Sequence, residues 1–203
     1  MRQVDAGQLL GILTEAARNP PRRLVALAGP PAAGKSTLAE TLAQGLGPVA
    51  QVIPMDGFHR ENDWLDAHGL RARKGAPETF DVAGFAALVR TIREGASPAY
   101  PLFDRGADRT RPGAGQVDPA ARLLIFEGNY LLLDRPGWRD LAPMWDLTVA
   151  LAIDEAVLTR RLVARWRHHG LDPDAARARA EGNDLPNGRV VLRESRAADY
   201  CVG

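Results

Sequence analysis

Gly29-Pro30-Pro31-Ala32-Ala33-Gly34-Lys35-Ser36 fits the pattern G-x-x-x-x-G-K-[ST] at every fixed position, the spacing of a phosphate-binding P-loop. The flanks supply the context such a loop needs. Leu24-Val25-Ala26-Leu27-Ala28 is a short apolar run of buried-strand type, and Ser36 to Ala43 has helical spacing. In a strand, loop and helix in that order, glycines let successive N–H groups turn inward and the helix start adds partial positive charge, so the loop can hold a polyphosphate. The expected nucleotide contacts are Gly29, Ala32, Ala33, Gly34, Lys35, Ser36 and Thr37. Lys35 should reach the β and γ phosphates of ATP, and the Ser36 hydroxyl should ligate Mg²⁺. The loop implies a nucleotide but not what is done with it.

The 203 residues, 45% of them apolar, are enough to bury a full core in one domain spanning 1–203 with room for insertions. Twenty-six basic residues against 25 acidic ones leave a net charge of +1, so no overall field draws the chain to nucleic acid or to an anionic membrane. The single Cys201 excludes a disulfide framework and a cysteine zinc cluster, which fits a reducing cytoplasm. Met1 to Gly7 lacks the basic start and apolar core of a signal peptide, and no apolar run approaches membrane-spanning length. The expectation is a cytoplasmic enzyme for a small molecule, monomer or homodimer, with neither nucleic acid nor membrane as partner.

Taken in order, Val4 to Ala17 can form a helix that ends before Asn19-Pro20-Pro21, and Val49 to Met55 reads as a second strand that delivers Asp56 to its carboxyl end. Residues 57–80 are polar and irregular and read as a substrate-side insertion; Asp81 then caps a helix through Ile92. Residues 95–120, rich in Gly, Pro and Arg, read as a long loop with room for a short hairpin, a second insertion. Arg122 to Phe126 is a third strand ending at Glu127, and Leu147 to Ile153 a fourth. Asp154 caps a helix through Arg165 or beyond, and Ala198 to Val202 closes the sheet. Alternating strands and helices predict an α/β fold, the P-loop NTPase three-layer sandwich, with a mainly parallel five-stranded sheet and helices on both faces. Ligands on such sheets sit at the carboxyl ends of strands, where the P-loop, Asp56 and Glu127 fall.

Phosphoryl transfer needs, beyond the phosphate cradle, a group for the acceptor, metal ligation and cations over the transferring phosphate. Asp56 is placed to take an acceptor hydroxyl's proton; the alternative is a strand-end cap or a carboxylate that holds a water of the metal. Glu127 is the candidate metal-side carboxylate together with Ser36. Arg161 and Arg165 share a helix face at i, i+4 and form, with Arg160, a candidate lid near 155–185, the alternative being a solvated basic face. His59 could contact substrate, whereas His68, His168 and His169 show no metal-ligand pattern. The four tryptophans do not interleave with basic residues, so packing is the expected use of Trp64, Trp138, Trp145 and Trp166.

These residues resemble the P-loop kinases that include uridine kinase, phosphoribulokinase and bacterial pantothenate kinase. The landmarks follow that family's order over most of the chain: Gly29 to Ser36, Met55-Asp56-Gly57-Phe58-His59, Pro77-Glu78-Thr79-Phe80-Asp81, Glu127-Gly128-Asn129-Tyr130, the arginines from Arg160, and Ala198-Asp199-Tyr200. A branch often labelled nucleoside/nucleotide kinase or fructose transport system kinase is similar also in Arg73 to Asp81 and in Asn183-Asp184-Leu185-Pro186-Asn187. The resemblance implies an ATP- and Mg²⁺-dependent kinase, with Asp56 as base or substrate ligand, Arg161 and Arg165 as catalytic lid residues, and an acceptor pocket using Asp56, His59, Lys74, Asp81, Arg105 and Tyr130. Asp56-Gly57-Phe58-His59 stands where uridine kinases carry Asp-Ser-Phe-Tyr, and Leu102-Phe103-Asp104-Arg105 replaces their Tyr-Asp-Phe. Those departures speak against a uracil ring, and Arg105 with Lys74 suggests a polar or anionic acceptor.

The leading expectation is transfer of the γ-phosphate to a hydroxyl of a sugar such as fructose or of a nucleoside, with pantothenate or another vitamin as an alternative. A P-loop NTPase acting as a regulatory switch is the alternative of another class, but no guanine-reading Asn-Lys-x-Asp is present. A binding protein that keeps only the fold fits poorly with Lys35, Ser36, Asp56 and Glu127 all in place.

Overall fold

Segments apolar on both faces become the strands at the centre of the molecule. In the computed structural model, which describes residues 1–18 and 21–203, the chain begins β1 (Arg2–Gln3), α1 (Ala6–Ala16), β2 (Arg23–Ala28), α2 (Lys35–Leu46), β3 (Ala50–Pro54), α3 (Asn62–Ala67) and α4 (Val82–Arg93). It continues through β4 (Ala99–Asp104), β5 (Arg109–Gln116), β6 (Leu123–Gly128), β7 (Leu147–Leu151), α5 (Glu155–His168), α6 (Pro173–Arg179), α7 (Leu185–Glu194) and β8 (Tyr200–Val202). The main sheet is parallel throughout, in the order β1-β8-β7-β2-β6-β3, and β4 with β5 forms a separate antiparallel pair. The sheet has six strands where five were expected. The sixth is β1, whose two residues pair with Tyr200 and Cys201 at the sheet edge. Two exposed residues carry no periodicity, so nothing in the sequence marks them as a strand. The adjoining helix starts at Ala6, because Asp5 and Gln8 form a reciprocal capping box there. Asn19 and Pro20, expected to terminate that segment, lie outside the described residues.

Strand periodicity divides the core into two layers. Val25, Leu27, Leu123, Ile125 and Val149 face α1 and α2, where Leu9, Leu13, Ala39 and Leu42 meet them. Leu24, Ala26, Ile53, Leu124 and Phe126 face the other way, toward Phe85, Val89 and Ile92 of α4 and the Tyr130 to Trp145 connection. Helices on both faces give the three-layer α/β sandwich that the alternation predicts. Phe126 is fully buried, with Phe85 at 6.0 Å and Trp145 at 5.2 Å between ring centroids. Truncating such a residue costs about 3–5 kcal/mol, so the sheet is a rigid base for the loops at its end. The segment from α5 to α7, with a π-helical turn at Ala180–Asp184, has its own smaller cluster of Leu158, Leu162, Ala180 and Leu185. Val191 of α7 also belongs to the main core, so α5 and α6 rest chiefly on the smaller cluster, the condition for lower local stability.

Residues 95–120 depart from the expected long loop. Most of them build the β4–β5 hairpin, whose register shifts between Tyr100 and Leu102. Pro101 and Pro112 and a largely exposed β5 hide the alternation by which a strand is normally read. The 57–80 insertion contains α3 and a series of tight turns. Trp138 and Trp145 are core residues, while Trp64 stacks on His68 at 3.8 Å and Trp166 donates to Asp184 in the lid segment. Among the described residues no helix is long and apolar enough to cross a membrane.

Candidate active site

Three adjacent strands end together. β2 pairs β6 from Arg23↔Leu123 to Ala28↔Gly128, and β3 pairs β6 up to Pro54↔Glu127. The P-loop leaves β2, Glu127 ends β6, and Asp56 follows β3 in a one-turn 3₁₀ segment, Met55–Phe58. Parallel pairing in register therefore brings the three stretches to one edge of the sheet, although nearly a hundred residues separate Ser36 from Glu127.

The loop has the shape of an anion cradle. Gly34 caps α2 at φ +101°, a value glycine reaches without strain, and Ala32 takes φ +60°. An alanine in that left-handed region is held there by the loop around it, consistent with N–H groups arranged for a ligand. Gly29 serves a different purpose: a Cβ there would lie 3.0 Å from the Leu151 Cβ, so its task is close packing against β7. Lys35 is buried, and its Nζ donates to the Pro30 carbonyl at 2.9 Å. Burial lowers its pKa to about 8, with Glu127 and Asp56 opposing that shift and Arg165 and Arg105 adding to it. The Ser36 hydroxyl donates to Glu127 Oε1 at 3.1 Å. Glu127 is itself buried, and desolvation, helped by the nearby Asp56, raises its pKa against the pull of Lys35 and the Ser36 hydrogen bond. A hydroxyl and a carboxylate joined at the end of β6 are a hard-oxygen donor pair suited to Mg²⁺.

A cavity of about 310 Å³ opens on this loop, lined by Ala32, Gly34, Lys35, Ser36, Thr37, Arg105, Arg165 and His169. The expected arginine pair divides here. Arg165 lines the cavity, whereas Arg161 donates from Nη1 to the Ala33 carbonyl at 3.0 Å and braces the loop from behind. Arg160 is exposed. His169, passed over in the sequence for want of a metal pattern, joins the lining because α5 ends one residue before it. A histidine with no motif around it gives no sequence signal.

Among the residues expected to hold an acceptor, Asp56 Oδ2 accepts from Arg105 Nη2 at 2.6 Å. His59 lies between Phe80 at 4.1 Å and Phe103 at 4.8 Å. Its pKa is lowered to about 4 by burial, with Asp56 opposing, so the ring is neutral near pH 7. Its Nδ1 is buried without a hydrogen-bond partner among the described residues. Two expectations are corrected. Tyr130 does not face an acceptor: it is fully buried, and its hydroxyl donates to the Gly75 carbonyl at 2.6 Å. Lys74 is already engaged, its Nζ donating to Asn62 Oδ1 and Asp108 Oδ1, both at 2.7 Å. Asp81 accepts from the Gly84 N–H at 3.2 Å, as the capping expectation had it, and also pairs with Arg60 at 3.0 Å. Asn183, which donates to the Lys74 carbonyl at 2.9 Å, ties the α6–α7 segment to the 57–80 segment.

Comparison with known proteins gives this geometry a family context. The family model described as Phosphoribulokinase / Uridine kinase family matches residues 24–181. The "Uncharacterized protein YggC" of Escherichia coli K12 is 43% identical over 190 residues, covering 91% of this chain and 79% of its own. The "Putative uridine kinase C227.14" of Schizosaccharomyces pombe is 34% identical over 219 residues, covering 98% of this chain and 93% of its own. The crystal structure of a "putative fructose transport system kinase" from Silicibacter sp. TM1040 superposes with a TM-score of 0.93 at 48% identity, over 98% of both chains.

Proposed function

The chain belongs to the phosphoribulokinase / uridine kinase family of P-loop kinases, and from that membership we propose that it transfers the γ-phosphoryl group of ATP to a hydroxyl of a small metabolite, with a sugar favoured over a nucleoside. The observation that carries this reading is the placement of Asp56 beside the phosphate cradle of Lys35, Ser36 and Glu127, at the ends of three paired strands. In the proposed reaction the acceptor oxygen bonds to the γ-phosphorus while the bond from that phosphorus to the β,γ-bridging oxygen breaks. The hydroxyl proton passes to Asp56, and the electron pair leaves with ADP. Ser36 and Glu127 would hold Mg²⁺, which when bound neutralises charge on the phosphate oxygens. Lys35 neutralises the transferring group, and Arg165 closes the cavity from the lid.

The preference for a sugar rests on the aromatic residues nearest Asp56. A nucleobase needs an open ring face, but Phe80 and Phe103 are already occupied by His59, and the Lys74 ammonium lies 5.0 Å from the Phe103 centroid. A small hydroxyl-rich acceptor needs no such platform. The fructose in the name of the Silicibacter protein points the same way. An ADP-release screen of purified protein with Mg-ATP against sugars, nucleosides and vitamins tests the reading: turnover with a sugar supports it, turnover confined to nucleosides or to pantothenate revises the acceptor, and acceptor-independent release alone overturns it.

Arg165→Ala is expected to reduce kcat by about 10- to 1,000-fold, as loss of one preorganised cation at the transition state does, with the melting temperature unchanged. Full activity, or an unfolded variant, would make Arg165 a solvated or structural residue. A second expectation concerns protons. With its pKa at about 8 in the free protein, Lys35 is largely uncharged at pH 8.5. Polyphosphate beside it favours the charged form, so Mg-ATP binding at that pH should take up a proton. Calorimetry in buffers of differing ionisation enthalpy reads this uptake, and Lys35→Ala should abolish it.

A further inference from the structure

The ion pair between Arg105 and Asp56 has no part in the transfer chemistry as set out above. Arg105 opens the turn that joins β4 to β5, and that turn is fixed on several sides. Gly57 lets the hairpin backbone in: a Cβ at Gly57 would lie 1.9 Å from the Pro101 carbonyl oxygen. Asp104 Oδ1 accepts the Ala107 N–H at 3.0 Å across the turn. Asp108, at φ +48°, takes the Lys74 ammonium at 2.7 Å and the Asn62 amide at 3.0 Å. Lys74 is spent in this fixing.

Arg105 is not. Its side chain is 64% exposed, and its hydrogen-bonded partner among the described residues is Asp56. The same residue lines the P-loop cavity with Lys35, Ser36, Thr37 and Arg165. It therefore stands between the group assigned to the acceptor and the space assigned to the donor phosphates. While the guanidinium holds Asp56 Oδ2 at 2.6 Å, it competes with an acceptor hydroxyl for that oxygen. A polyphosphate offers more charge than one carboxylate and can accept two parallel hydrogen bonds from the planar fork.

We propose that Arg105 is a transferable counter-ion, resting on Asp56 in the free protein and moving onto the γ-phosphate of bound ATP, so that donor binding both neutralises the transferring group and releases the base. This rests on the kinase reading and deepens it: Arg105 becomes a catalytic residue of the donor side, not an acceptor ligand. In such a device Asp56 is masked when no ATP is bound, and it is uncovered only when there is a phosphoryl group to transfer.

Calorimetric binding of Mg-ATP and Mg-ADP to four proteins tests it without an identified acceptor: wild type, Arg105→Ala, Asp56→Asn and the double variant. The readout is the preference for ATP over ADP, which isolates the γ-phosphate. Arg105→Ala should lower that preference by about tenfold or more, the scale of a charge-assisted hydrogen bond to phosphate. Asp56→Asn should raise it by freeing the arginine. The deciding protein is the double variant, which restores the neutral balance of the pair but has no guanidinium to offer the phosphate. It should remain at least about fivefold below wild type if the guanidinium contacts the phosphate. Recovery of the wild-type preference in the double variant, or no change in Arg105→Ala, would overturn the proposal and leave Arg105 as a mask on Asp56. If the wild type binds neither nucleotide, the donor-site reading falls at the first measurement, an outcome distinct from failure at the double variant. Arg105 is exposed, so unchanged melting curves are expected for its variants.

Discussion

Lys35→Ala is expected to lower phosphoryl transfer by about 10³-fold or more while the melting temperature at pH 7 stays at or above that of the wild type. The two halves have one cause. The ammonium is buried against the Pro30 carbonyl in the free protein, and burial holds its pKa at about 8, below the ordinary lysine value of 10.5. A lysine whose folded pKa is depressed costs stability wherever the folded state must carry its proton. That cost is fully present below pH 8, amounts to about 3 kcal/mol, and fades as the pH rises from 8 toward 10.5. Removing the side chain removes the cost, and with it the one buried cation of the cradle. Near-normal turnover in this variant would sink the P-loop assignment. A large loss of thermal stability would mean that the ammonium is held by more than it loses in desolvation.

Asp56→Asn should reduce transfer by about 10²–10⁴-fold, the usual contribution of a general base, while Mg-ATP still binds at least as tightly as to the wild type. The amide keeps the shape but cannot take the hydroxyl proton. Affinity for the donor should hold because Glu127, proposed as the metal-side carboxylate, sits on a different strand and accepts a hydrogen bond from Ser36 directly. A fall in ATP affinity matching the fall in turnover would move Asp56 to the metal site.

Much of this architecture can be read without coordinates, and where the reading fails the reasons are specific. The eight residues from Gly29 to Ser36 fix a strand, a loop and a helix at once, and the main strands after it are short, largely apolar runs, broken only by Gln51 in β3 and Thr148 in β7. Strand-end logic then places Asp56 and Glu127 at the same edge as the loop. The hairpin is another matter. Pro101 sits inside β4 and Pro112 inside β5, and stability comes from backbone docking at Gly57 and from Asp108 contacts spread over forty-odd positions of sequence, none of which has a local pattern. Side-chain type alone also misassigns charge. Lys74 and Arg105 look equivalent in the sequence, yet Lys74 is turned toward Asp108 and Asn62, while Arg105, paired with Asp56, lines the P-loop cavity. Tyr130 follows Glu127 closely enough to suggest a substrate contact, but its hydroxyl turns inward to hold Gly75. Arg161 and Arg165 share a helix face by spacing, and only the path of the P-loop decides that the first meets its carbonyls and the second its cavity.

Following the fate of the terminal phosphate tests most directly whether the site transfers to a small-molecule hydroxyl. Purified protein is incubated with Mg-ATP labelled at the γ-phosphorus and with the acceptor that gives the fastest ADP release, and the label is separated by chromatography. The proposed function predicts label on a phosphorylated form of that acceptor, in step with ADP, and its disappearance in Asp56→Asn. Label recovered only as inorganic phosphate, at a rate indifferent to the acceptor and to Asp56, would contradict it and identify the chain as a P-loop hydrolase.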